Sequence, residues 1–162
     1  YLKDLIYGAN DGIITTFAVV AGVTGARLEP RVVLILGFAN LLADGFSMGA
    51  SNFLSIRSDE AARRASGRGL QEPFPSRHSL ATFLAFVTVG VVPLASYVLT
   101  AGADQFPVAV FLTLATLFVV GAARSMVTDV PWWRGGLEML AVGSAAAAVA
   151  YGVGAYVAGI TG

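Results

Sequence analysis

Residues 32–56 read VVLILGFANLLADGFSMGASNFLSI, a run of 25 residues whose one formal charge is Asp44. A helix crosses roughly 30 Å of hydrocarbon with about 20 mostly apolar residues, so this run is long enough to span a membrane. At 100° per residue, Asn40, Asp44 and Met48 stack along one face at i, i+4 and i+8. Ser47, Ser51 and Ser55 fall on the same arc and Asn52 lies at its edge, all seven within roughly 140°. Val32, Val33, Leu34, Leu36, Phe38, Leu42, Phe46 and Phe53 supply an apolar remainder. The run is therefore a membrane helix with a polar stripe, and the stripe points at something wet or ionic. Gly37, Gly45 and Gly49 add the small-residue spacing of close helix packing.

Working outward, residues 79–103, 105–123 and 139–162 are apolar and carry almost no charge, and residues 5–26 are apolar with one carboxylate, Asp11. Together with 32–56 these are five transmembrane helices, an all-α membrane protein of one domain spanning 1–162. Composition agrees: 56% of residues are hydrophobic and 12% charged, against about 25% charged in soluble domains. A soluble globular protein and a disordered chain are both excluded. Ten basic and ten acidic residues cancel, so nucleic-acid binding through bulk charge is not expected. There is no Cys and one His, His78, which excludes thiolate metal sites and His-rich centres. No nucleophile–base pair is visible, so an enzyme is not expected.

Positive charge orients the helices. With the N-terminus in the cytoplasm, Lys3, Arg57, Arg63, Arg64, Arg68, Arg77, Arg124 and Arg134 lie inside, and Arg27 and Arg31 outside. Residues 57–78, Arg-rich and holding Pro73 and Pro75, read as a cytoplasmic surface loop in which Asp59, Glu60 and Glu72 are solvated. Pro93 should kink the third helix. Arg124, Asp129 and Arg134 anchor the inner ends of the fourth and fifth, Glu138 suits a helix start, and Trp132 and Trp133 form an interfacial belt. The first residue is Tyr1 rather than Met, so residues are expected to precede it.

In the first helix Asp4, Asp11, Ala18 and Gly25 are seven apart, with Thr15 and Gly22 on the same face. Asp4 reads as a solvated carboxylate at a helix N-terminus. Asp11 lies at membrane depth, where a carboxylate is costly and faces a cavity or pathway. Carboxylate and amide oxygens with one thioether suit Fe²⁺, and also Mn²⁺, better than Ca²⁺ or Mg²⁺. The candidate metal set is Asp11, Asp44, Met48 and Asn40, with Thr15, Ser47, Ser51 and Ser55 lining the path. A carboxylate in low dielectric holds a proton until a cation displaces it, the physical basis of proton–metal exchange.

Residues 4–26, DLIYGANDGIITTFAVVAGVTGA, resemble the first helix of the vacuolar iron transporter family. LGFANLLADGFSMGASNFL (36–54), followed by RSDE (57–60), is similar to its second helix, and GLEMLAVG (136–143) to the start of its fifth. The resemblance implies a homodimer of five-helix protomers in which helices 1 and 2 line a metal path. It implies Fe²⁺, often with Mn²⁺, leaving the cytosol in exchange for protons, with no resident cofactor. The family's path carboxylate matches Asp11 and its helix-2 methionine matches Met48. In two respects the chain departs from the plant members. Their long glutamate-rich cytoplasmic insert is replaced by the short basic 57–78 stretch, and Asn40 stands where they carry a glutamate, with Asp44 one turn later. The short stretch resembles the bacterial branch, which implies the bacterial inner membrane. Metal is expected to enter past Met48, Ser51 and Ser55 and to reach Asp44 and Asp11, so that Asp11 and Met48 meet. The alternative reading is a membrane anchor for a soluble ferritin-like or metal-sensing domain, in which each carboxylate pairs with a donor such as Asn40 or Thr15.

Overall fold

The structure of the chain, a computed structural model, describes residues 1–100 and 102–161. It is all-helical among these residues: α1 (Leu2–Gly25), α2 (Pro30–Ala65), α3 (Pro75–Gly90), α4 (Val92–Leu99), α5 (Gln105–Ala123) and α6 (Trp132–Thr161). Five of its spans are long and apolar enough to cross a membrane, with α3 and α4 forming one of them. Large apolar side chains cover the outside: Phe46, Leu99, Phe111 and Tyr156 each expose 70% or more. In water such a surface would aggregate; in hydrocarbon it is the solvent-matched face. The chain is an integral membrane protein.

The most buried helix is α1, which packs against α2, α3, α4, α5 and α6. Ile13, Thr16 and Val20 are fully enclosed along it. The approach of α3 is backbone to backbone. A side-chain carbon at Gly12 would collide with the carbonyl of Phe86, and one at Gly25 with that of Tyr151 on α6. Small residues permit this proximity, which lets dispersion contacts replace the hydrophobic drive that lipid removes. Phe86, Leu94 and Leu41 fill the space beside these crossings. Because Gly25 is covered by α6, the seam from Asp4 to Gly25 is not one free surface; its C-terminal end is spent inside the protomer.

Several expected boundaries shift. Residues 57–65, read as loop, continue α2 as helix, because RSDEAARRA is rich in good helix formers and charge ends the span without ending the helix. At 36 residues α2 is about 54 Å long, well beyond the bilayer core. The connection is therefore only residues 66–74. Gly67 closes α2 at φ +69°, a left-handed conformation that favours glycine. Glu60 is not solvated: it is 7% exposed, and its Oε1 accepts the backbone N–H groups of Gln71 and Glu72 at 2.8 Å each. The third span breaks at Val91, between Gly90 and Pro93, as proline requires. The fifth begins at Trp132, seven residues before its expected start. Glu138 sits in its second turn and pairs with Arg124 at 3.3 Å. Ala101 and Gly162, within the expected third and fifth helices, lie outside the described residues.

Candidate metal path

Since α2 is helical from Pro30 to Ala65, Asn40, Asp44 and Met48 stand one turn apart along it. Asn40 Nδ2 donates to Asp44 Oδ2 at 2.8 Å, one turn apart on the same helix. Both are half-buried, as is Met48, which packs against the main apolar core. Ser47, Ser51 and Ser55 are exposed.

On α1, Asp11 is exposed although it lies about two turns inside the span, and no side chain among the described residues pairs with it. Thr15 donates to the backbone carbonyl of Asp11 at 2.8 Å, leaving the carboxylate without that donor. Thr15 is half-buried and its hydroxyl proton is already committed. Among the described residues no three His, Asp or Glu side chains gather into a ready-made cation cluster.

Nearer the N-terminal end of α1 a cavity of about 550 Å³ opens between α1, α2 and the start of α3. Met48, Ser51 and Ser55 line it from α2, and Tyr7, one turn before Asp11, from α1. Asp4 and His78 also reach it, and here the structure departs from expectation. Asp4 is not a solvated helix-end carboxylate. Its Oδ2 meets His78 Nδ1 at 2.6 Å, with 17% and 16% of the two side chains exposed. Asn52 Nδ2 donates to Asp4 Oδ1 at 3.0 Å and to Thr82 Oγ1 at 2.8 Å, and Thr82 in turn donates to the His78 carbonyl at 3.0 Å. Both Asp4 oxygens are engaged, so the network fastens α1, α2 and α3 together at the cavity wall. No local pattern marks this role, because the partner His78 stands 74 residues away in the chain.

The VIT family model matches residues 2–74 and 64–155. The two stretches meet at the α2–α3 connection. The vacuolar iron transporter of Toxoplasma gondii is 28% identical over 221 aligned residues, covering 95% of this chain and 73% of that protein. Vacuolar iron transporter 1 of Eucalyptus grandis is 27% identical over 210, covering 94% and 84%. Both alignments are longer than this chain of 162 residues, so these relatives hold internal residues that it lacks. The vacuolar iron transporter of Plasmodium falciparum is 50% identical over 54 residues, 33% of this chain and 20% of that protein. With the matched stretches covering nearly all of its helices, the chain belongs to the VIT family.

Proposed function

We propose that this chain is a secondary transporter that carries Fe²⁺, and also Mn²⁺, out of the cytosol in exchange for protons. It works as a homodimer with the N-termini in the cytoplasm, in the bacterial inner membrane. The observation that carries this reading is the exposure of Asp11 at membrane depth. A carboxylate facing lipid is costly, so the surface around Asp11 is covered by water or by a second protomer. Pairing two copies along α1 and α2 places two Asp11 and two Asp44 carboxylates around one axis, completing a ligand set that one protomer leaves open.

The path runs from the cavity walled by Met48, Ser51 and Ser55 to Asp11 and Asp44. In the dimer Met48 supplies the soft donor that favours Fe²⁺ over Mg²⁺, and Asn40 orients Asp44. The Asp11 and Asp44 oxygens hold either the cation or protons, and this competition couples the two fluxes. The anchor reading expects each carboxylate to pair with a donor: Asp44 does so with Asn40, whereas Asp11, among the described residues, accepts from no side-chain donor and Thr15 spends its proton on the Asp11 backbone carbonyl.

The test is Fe²⁺ flux into sealed proteoliposomes under an imposed pH gradient, for the native chain and Asp11→Asn. Gradient-driven uptake by the native chain and its loss in the variant are expected. A well-folded native protein inert toward Fe²⁺, Mn²⁺ and Co²⁺ would refute transport.

A further inference from the structure

On the opposite side of α2 from the polar stripe, two hollows adjoin. The first, about 390 Å³, lies between the projecting end of α2 and the 66–74 connection. Arg57, Glu60, Arg64, Leu70 and Glu72 wall it, with Phe53 at its floor. The second, about 470 Å³, is an apolar groove between α2 and α3, walled by Phe46, Phe53, Leu54, Leu80 and Phe83. Phe53 lines both, so the charged pocket and the groove adjoin at its ring. At 100° per residue Phe46 and Phe53 lie about 180° from the centre of the Asn40–Ser55 stripe. Two protomers meeting along that stripe leave this groove to the lipid.

The charges of the pocket are balanced and incompletely used. Arg57 and Arg64 are exposed, and among the described residues neither has a carboxylate within salt-bridge distance. The Arg57 guanidinium rests 5.6 Å from the Phe53 ring centre, at the junction of the hollows. Glu60 is 7% exposed, and while its Oε1 ties down the connection, its Oε2 is buried without a donor. A buried carboxylate oxygen with nothing to accept is rare and calls for a partner. The pocket stands where α2 leaves the apolar span and its charges begin, the level of lipid headgroups.

We infer that these adjoining hollows bind one molecule of phosphatidylethanolamine. Its phosphate is held by Arg57 and Arg64, since guanidinium presents a fork of donors to phosphate oxygens. Its primary ammonium is held between Glu72 and the free oxygen of Glu60, and an acyl chain fills the groove. Phosphatidylglycerol offers the Glu60 oxygen only a neutral hydroxyl and leaves its phosphate charge uncompensated beside Glu72. A choline headgroup has no N–H to donate. The inference rests on the chain spanning a membrane, and not on what it transports.

The test is native mass spectrometry of the full chain in mild detergent, offered equal amounts of phosphatidylethanolamine, phosphatidylcholine and phosphatidylglycerol. The ethanolamine lipid should be retained over each of the others by about tenfold, the equivalent of one charged hydrogen bond. Arg57→Gln with Arg64→Gln should lower its retention by a similar factor. Arg27→Gln with Arg31→Gln, at the other end of α2, should not. Glu60→Gln with Glu72→Gln should bring the ethanolamine and choline lipids to parity. Millimolar inorganic phosphate should leave the lipid in place. Equal retention of the three lipids by the native chain would overturn the assignment without reliance on any variant. So would displacement by phosphate alone, the mark of a simple anion site, or retention unchanged in the double arginine variant.

Discussion

Gly12→Ala is the substitution that most directly interrogates the α1–α3 crossing. A β-carbon built at Gly12 meets the carbonyl oxygen of Phe86 in hard overlap and lies 2.9 Å from both its carbonyl carbon and its Cα. Carbon atoms rest at about 3.5–4.0 Å, so the backbones must part by roughly 0.6 Å or more. Nothing flexible can yield, because the atoms in the way are backbone. Overpacking of this kind costs about 1–3 kcal/mol. In a protein of this size that lowers the unfolding midpoint by roughly 2–12 °C. Gly152→Ala is the matched control: on α6 a β-carbon there meets nothing within 4 Å, and alanine has the better helix propensity by about 1 kcal/mol. The assay is thermal unfolding in detergent followed by the fluorescence of Trp132 and Trp133. Gly12→Ala should unfold earlier than the native chain, and Gly152→Ala at the same temperature or later. Asp11 is the next residue, so Gly12→Ala should also slow metal flux. Midpoints for the two variants within a degree of each other would refute the close crossing.

Three further outcomes follow from other contacts. Phe86→Ala empties a fully enclosed site at the centre of the main core; it should cost about 3–5 kcal/mol, read as the largest midpoint drop of the set. Asp4→Asn weakens the acceptor shared by His78 and Asn52 and should cost about 1–3 kcal/mol, whereas Asp59→Asn, exposed on α2, should leave the midpoint within a degree or two. Arg124→Gln and Glu138→Gln break an ion pair whose members expose 31% and 55% of their side chains, so a double-mutant cycle should return a coupling below about 1 kcal/mol.

Much of the architecture is legible in the one-dimensional chain. The expected fourth span, residues 105–123, coincides with α5 (Gln105–Ala123), because polar residues stand at both of its ends. The stripe from Asn40 to Ser55 is legible because the helical period alone groups those residues. The end of α2 is not, since the switch from apolar to charged residues at Arg57 marks the edge of hydrocarbon and not the edge of the helix. Glu60 looks solvated in a row of charges, yet the 66–74 connection folds back and caps it with two N–H groups. Asp4 looks like a helix-end charge until His78 and Asn52 arrive from two other helices.

That the chain lives in a membrane, the number of its apolar spans and the residues of α2 that share a face are all readable from the order of its amino acids. These follow from local rules: hydrocarbon obliges each span to satisfy its own backbone and to be apolar along about 20 residues. Which way each helix turns about its axis emerges on packing. That rotation encloses Ile13 and Val20 yet exposes Asp11, buries Gly25 under α6, and brings Asp4 to His78. It is set by the summed packing of α1 against every other helix, a quantity that no single segment contains.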